Sequence, residues 1–202
     1  MIRKLDRTTH NQPDAGAPNA PAWAEYVAIG RWMECPLEPA KSKAETMTDA
    51  ALVRLAALNL SLPPAPAPAA NYVPYIIDGE HLYVSGQGSR MADGSLLSGR
   101  LGADLTVEQG QEAAAACALN ILAQAHAALG RLDRIGQIIR LTGYVNSTPD
   151  FSDHPLVING ASDMMVNVLG DAGRHTRDAV GVAGLPGGCA VEVDAILRIR
   201  DE

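Results

Sequence analysis

Between Thr106 and Gly130 apolar residues recur at intervals of three and four, with Ala114, Cys117, Ala118, Ile121, Leu122, Ala125 and Leu129 on one stripe. That period predicts an amphipathic helix laid on a sheet. Its start is marked by Thr106-Val107-Glu108-Gln109, a capping box in which threonine and glutamine side chains satisfy free amides reciprocally. Gly130 supplies the left-handed stop. Cys117 falls on the stripe and is expected to be a buried, inert thiol. His126 lies beside the stripe and is expected at the surface.

Elsewhere the pattern alternates or runs apolar. Tyr72 to Ile77 and His81 to Ser85 flank the turn Asp78-Gly79-Glu80, which predicts a hairpin. Pro74 has no N–H for a ladder and marks the first strand as an edge. Ile135 to Val145 reads as a central strand reached by a crossover through the long helix, which predicts a parallel pair. A second helix is expected from about Ser152 to Gly170, with Pro155 in its first turn and Ile158, Ala161, Met165 and Leu169 buried. Asn159, beside Ile158, needs partners for its amide and is a candidate pocket residue. Two final β runs, from His175 and from Cys189, flank Leu185-Pro186-Gly187-Gly188 and predict a second hairpin. The order β-β-α-β-α-β-β, with two helices suited to one face of a mixed sheet, specifies an α+β two-layer sandwich.

Upstream, Thr48 or Asp49 is placed to cap a short helix carrying Leu52, Leu55 and Ala56. Pro63-Pro64-Ala65-Pro66-Ala67-Pro68 then predicts a stiff extended connector that holds this helix at a distance from the first strand, a domain edge. Residues 1–47 are rich in Pro, Ala, Asn and Asp without a period, and read as an irregular extension in which Trp23, Tyr26 and Trp32 are docking candidates. Organised pattern begins right after Met47, which makes that residue an alternative start. The expected layout is therefore an extension over 1–47, a helix and connector over 48–70, and the main domain over 71–202.

Composition narrows the function. Aromatic residues are only 4% of the 202 residues while apolar residues are 47%, so the core must be built from Ala, Val, Leu and Ile, and association between copies would help it. A net charge of −7 and a pI near 5.2, without clustered Lys and Arg, argue against nucleic acid as partner. Cys35, Cys117 and Cys189 are odd in number and lack a CxxC, which favours a reducing cytoplasm over a disulfide framework or zinc site. No secretory h-region follows the basic first residues, and no apolar run is long enough for a membrane span.

The candidate chemistry lies in the C-terminal pair of strands. If Leu185 pairs with Gly188, Ala179 faces Asp194, Arg177 faces Ile196, and Arg177 and Asp194 become diagonal neighbours about 7–8 Å apart on one face shared with Glu192. A one-residue slip would remove this arrangement. Such a face suits a small carboxylic acid, held by the guanidinium through two parallel hydrogen bonds, with Asp194 holding a water. From spacing alone, an ordinary Arg–Asp cross-strand pair is the favoured reading. Ser85-Gly86-Gln87, likewise, reads on its own as a loop; its glycine pair is no dinucleotide fingerprint because the next helix begins some twenty residues later.

Four segments taken together change that balance. Asn71-Tyr72-Val73, Val84-Ser85-Gly86-Gln87, Val157-Ile158-Asn159 and Arg177-Asp178-Ala179-Val180 through Leu185-Pro186 to Val191-Glu192-Val193-Asp194-Ala195 occur in the order seen in the RidA/YjgF family of enamine/imine deaminases, formerly named endoribonuclease L-PSP. The chain resembles this family over roughly residues 70 to 200, and in particular a less characterised branch with the same leading helix and Pro-Ala-Pro connector. The resemblance implies a chorismate-mutase-like fold, a homotrimer with sites in clefts between subunits, and hydrolysis of 2-aminoacrylate-like 2-imino acids to 2-keto acids and ammonia without cofactor or metal. It further implies that Arg177 binds the substrate carboxylate, that Tyr72 and Asn159 line the cleft, that Ser85 and Gly86 contact substrate, and that the Ala179 backbone and the Asp194 carboxyl place the water. Two positions depart from the family's usual pattern: Ala179 replaces a frequent cysteine, and Asp194 replaces glutamate. A shortening of one methylene moves a catalytic contact by about an ångström, enough to cost on the order of 10²-fold. The alternatives are a trimeric protein that binds small carboxylic or 2-keto acids without turnover, and, more weakly, a ribonuclease.

Overall fold

The computed structural model describes residues 49–200. The irregular extension, its Trp23, Tyr26 and Trp32, Cys35, the Met47 start and the alternative cap Thr48 lie outside these residues.

Asp49 caps helix α1 (Ala50–Ala57), its Oδ1 accepting from the Ala51 N–H at 3.0 Å. Its other oxygen accepts from the N–H of Leu132 at 2.6 Å. One carboxylate thus satisfies free amides at the start of α1 and at Leu132, 83 residues along the chain from Asp49, where a 3-10 turn (Leu132–Arg134) begins. Ala51 and Leu55 are buried in the main core, and Arg54 donates to the Val168 carbonyl at 3.1 Å. The expected separation of this helix is therefore not found: it belongs to the same compact unit as the sheet. The proline-rich connector is irregular rather than helical, as expected, but it runs back along the domain, where the Pro66 carbonyl accepts from Gln124 at 2.6 Å. Docking α1 buries Ala51 and Leu55, which a free eight-residue helix has no means of doing.

Five strands form one sheet: β1 (Tyr75–Asp78), β2 (His81–Gly88), β3 (Ile135–Asn146), β4 (Thr176–Val182) and β5 (Val191–Ile199), in the order β1-β2-β5-β3-β4. The first hairpin forms about Gly79 with β1 at the edge, as the pattern implied. Two long helices, α2 (Val107–Leu129) and α3 (His154–Leu169), cover one face of the sheet. The capping box at Thr106 and the left-handed Gly130 form as expected. Cys117 is fully buried, its thiol on the Val191 carbonyl at 3.4 Å, and burial pushes its pKa well up. The two helices approach closely at Gly160, where an added Cβ would lie 2.0 Å from the Gln111 carbonyl.

Two expected pairings are corrected. Strand β5 lies between β2 and β3, so the crossover through α2 joins strands that run the same way without being neighbours. The parallel pair is β3 with β4, joined through α3. The second hairpin does not form either, because β3 separates β4 from β5. Residues 186–188 make a short 3-10 turn with Gly187 and Gly188 at positive φ, and this sends the chain across β3 rather than folding it back.

The sheet's two faces differ. Val191, Val193, Ala195 and Leu197 of β5 are buried under the helices. Their alternates look the other way, and on that side Ile76, Tyr83 and Val180 are exposed. Among the described residues nothing covers this second face.

The anchoring of α1 yields two measurements. Leu55→Ala should cost about 2–5 kcal/mol in urea unfolding, as for a fully buried leucine. Asp49→Ala should cost roughly 1–3 kcal/mol, because it leaves a buried amide at Leu132 unpaired in addition to removing the cap. A loss below about 0.5 kcal/mol in both would mean that α1 is not part of the cooperative core.

Candidate functional site

Because β3 intervenes, Arg177 and Asp194 do not become diagonal neighbours. Across β3, Arg177 aligns with Leu141 and Ala195, whereas Asp178 aligns with Thr142 and Asp194. Arg177 thus projects toward the helices and Asp194 toward the uncovered face. The expected one-faced Arg–Asp pair is replaced by two separate constellations.

The first is built around Arg177. Its Nη1 donates to Asn159 Oδ1 and to Ser162 Oγ, both at 2.9 Å, and its Nη2 donates to the Pro155 carbonyl at 3.2 Å. All three acceptors come from α3, whose helical spacing places residues 155, 159 and 162 on one side. The acceptors are neutral, and among the described residues no carboxylate forms an ion pair with Arg177. The guanidinium is oriented but its charge is not neutralised. Ala179 follows two residues later on the same edge strand, against Gly143 of β3.

The second constellation is a groove of about 610 Å³ where β1 stops and β2 continues as Gly86–Gly88. The connector Pro66–Ala70 forms one wall, and Tyr72, Gly86, Arg90, Asn120 and Glu192 present polar or open positions along it. Tyr72 is exposed, with its hydroxyl accepting from the Ala69 N–H at 3.3 Å. Ser85 is next to the groove, and its hydroxyl donates to the Val73 carbonyl at 2.8 Å, which fixes the segment that carries Tyr72.

Ser85 and Gly86 occupy a β-bulge, two residues facing the single residue Asp194, since Val84 pairs with Ala195 and Gln87 with Val193. The bulge and the missing side chain at Gly86 let Glu192 lean over β2: a Cβ on Gly86 would lie 2.1 Å from Glu192 Oε1. Glu192, rather than Asp194, is therefore the carboxyl that lines the groove. Its signal in the sequence is the glycine at position 86, whose missing side chain leaves room for it. Asp194 lies beside it on the uncovered face, its Oδ2 accepting from the Tyr144 hydroxyl at 3.1 Å.

Burial raises the Glu192 carboxyl above its ordinary range, and the negative charge of Asp194 adds to this. The Tyr144 phenol is raised by burial first and then by Asp194. Two carboxyls thus share one patch in different surroundings, an arrangement suited to moving a proton. The proton on Glu192 is bound more tightly in the folded chain. Its contribution to stability is fully present below the ordinary carboxylate range and is lost as pH rises through the raised value. Glu192→Gln should accordingly raise the melting temperature at neutral pH, with the gain vanishing near roughly pH 4. A lower melting temperature at neutral pH would instead show that the charged form makes a stabilising contact.

Comparison with known proteins fits this architecture. Residues 52–194 match the family described as "YjgF/chorismate_mutase-like, putative endoribonuclease". Protein TCP17 of Trypanosoma cruzi is 50% identical over 145 residues, covering 71% of this chain and 91% of that protein. The crystal structure of Atu1372 from Agrobacterium tumefaciens, a protein of unknown function, is 47% identical with a TM-score of 0.70 and covers 75% of this chain and 95% of that one. A structure from Shewanella oneidensis MR-1 with the same endoribonuclease designation is 38% identical, with a TM-score of 0.72 and coverage of 74% and 99%. With its mixed five-stranded sheet under helices and this extent of sequence match, the chain belongs to the RidA/YjgF family and has the chorismate-mutase-like fold.

Proposed function

We propose that this protein hydrolyses short 2-imino acids, formed from enamines such as 2-aminoacrylate, to 2-keto acids and ammonia. The observation that carries the reading is the Arg177 guanidinium, held by three neutral acceptors with no carboxylate partner among the described residues. A planar cation fixed in this way presents its remaining N–H groups to the carboxylate of a small acid. In the proposed reaction the protonated imine makes C2 electrophilic and a water oxygen attacks it. One of the water's protons passes to a carboxylate of the Glu192–Asp194 pair, which then gives it to the carbinolamine nitrogen; as the C2–N bond breaks and ammonia leaves, the C2 hydroxyl returns its proton to that carboxylate and becomes the carbonyl. Positioning and modest acid–base help suffice for an intermediate that also hydrolyses unaided in water.

Within one chain the two constellations do not meet. Strands β2 and β4 are three steps apart in the sheet, roughly 14 Å, and Arg177 and Asp194 lie on opposite faces. A second copy that sets its Arg177 edge against the groove of the first supplies the missing half, and the uncovered face with Ile76, Tyr83 and Val180 provides apolar surface for the association. A cyclic homotrimer with three shared clefts is the arrangement we favour. Non-catalytic binding of 2-keto acids rests on the same Arg177, and it gains weight from the Tyr144 hydroxyl that already occupies one oxygen of Asp194. A ribonuclease is the weaker alternative at a net charge of −7.

Coupling the protein to a pyridoxal-phosphate dehydratase should accelerate release of pyruvate or 2-oxobutyrate, and Arg177→Ala should reduce that acceleration by about 10²-fold or more. Saturable binding of 2-oxobutyrate without acceleration selects the binding-only alternative, and RNA cleavage that survives Arg177→Ala selects the ribonuclease. Shared clefts have a further signature. Arg177→Ala and Glu192→Gln chains, each inactive alone, should recover about a quarter of wild-type activity when unfolded and refolded together in equal amounts, because one random interface in four then has both halves intact. No recovery in mixed assemblies of confirmed trimeric mass would place each site within a single chain.

A further inference from the structure

The side chains behind Arg177 form a chain of hydrogen bonds with a definite direction. Ser162 Oγ, which accepts from Arg177 Nη1 at 2.9 Å, lies 3.0 Å from His175 Nε2. The other ring nitrogen, Nδ1, lies 2.6 Å from the Gly173 carbonyl. A carbonyl only accepts, so Nδ1 carries the hydrogen. In the neutral ring Nε2 is then an acceptor, and the Ser162 hydroxyl donates to it. That leaves a serine lone pair aimed at Arg177. From Arg177 through Ser162 and His175 to Gly173, every donor meets one acceptor.

We infer that His175 is a positioning residue for Arg177, acting through Ser162, and that its neutral form is the one that holds the guanidinium ready for a carboxylate. The inference rests on the reading that Arg177 receives the substrate carboxylate. Protonation at Nε2 reverses the last link: ring N–H and serine O–H then point at each other, and the serine must rotate its hydrogen away. It also sets a second cation beside Arg177. Burial, then the charge of Arg177, lower the His175 pKa below 6.5, against the opposing effect of the Gly173 carbonyl. Among the described residues Arg177 of β4 is the charged group that acts on the ring. From α3 the ring meets Ser162, and from the turn at 170–173 it meets the Gly173 carbonyl, Asp171 there being paired with Arg174 at 3.3 Å.

Positioning and simple charge make opposite predictions. A second cation by itself strengthens anion binding on acidification; loss of the serine link weakens it. The test is calorimetric titration of the full chain with 2-oxobutyrate, a carboxylate throughout the range, at about pH 7.5 and about pH 5.5. Between the two pH values wild type should weaken at least about threefold more than His175→Gln, which retains any pH dependence that Glu192 contributes. Ser162→Ala should bind roughly 10-fold more weakly at both pH values, while Ser162→Thr, which keeps the hydroxyl, restores affinity. Nitrogen NMR of the histidine ring should show hydrogen on Nδ1 at neutral pH. The same pH dependence in wild type and His175→Gln, hydrogen on Nε2 at neutral pH, or wild-type binding by Ser162→Ala would overturn the inference while loss of binding in Arg177→Ala still upholds the carboxylate reading. Wild-type binding by Arg177→Ala would overturn both.

Discussion

The position of β5 is the constraint on which the other features depend. Its nine residues pair with β2 on one side and β3 on the other, and its alternate side chains divide the sheet into a face under the helices and an open one. On its other side β3 holds it apart from β4, and the register across β3 places Arg177 and Asp194 on opposite faces. The pairing of β5 with β2 also sets the bulge at Ser85–Gly86 against Asp194, and from that bulge Glu192 gains its path to the groove. Without β5, two two-stranded ribbons remain, neither with enough buried surface to stand alone.

Local features were legible from the sequence because local chemistry decides them. The Thr106 box, the Gly130 stop, the β1–β2 turn and the apolar stripe of α2 depend on residues within a few positions of one another. Strand partners were not legible, because periodicity shows which side of a strand is apolar and says nothing about its neighbour. Leu185-Pro186-Gly187-Gly188 has the composition of a hairpin turn, and the same glycines serve equally well in a turn that carries the chain over another strand. The proline connector misled for a different reason: stiffness limits how a segment bends, but Leu55 and Asp49 determine where its leading end is held.

For the site, the family motifs identified the residue types, whereas the fold shows how they are divided. Asn159 is the clearest case. Its place beside the apolar side of α3 implied that it needed a partner, and that partner is Arg177, so its amide orients the cation rather than standing in the groove with Tyr72. Glu192 shows the reverse. It sits two residues from the motif carboxyl, period two keeps both on one face, and a neighbouring glycine gives the longer side chain the reach that aspartate lacks.

The docking of α1 also bears on the groove. The groove wall at Pro66–Ala70 has little regular structure of its own and is tied to the body at few points, among them the Gln124 bond to Pro66. Upstream it is continuous with Leu60 and Leu62, which pack against the core, and with α1, fastened by Ala51, Leu55, the Asp49 carboxylate and the Arg54 bond to Val168. The wall of the groove thus takes its anchorage from a helix that contributes no residue to the groove lining.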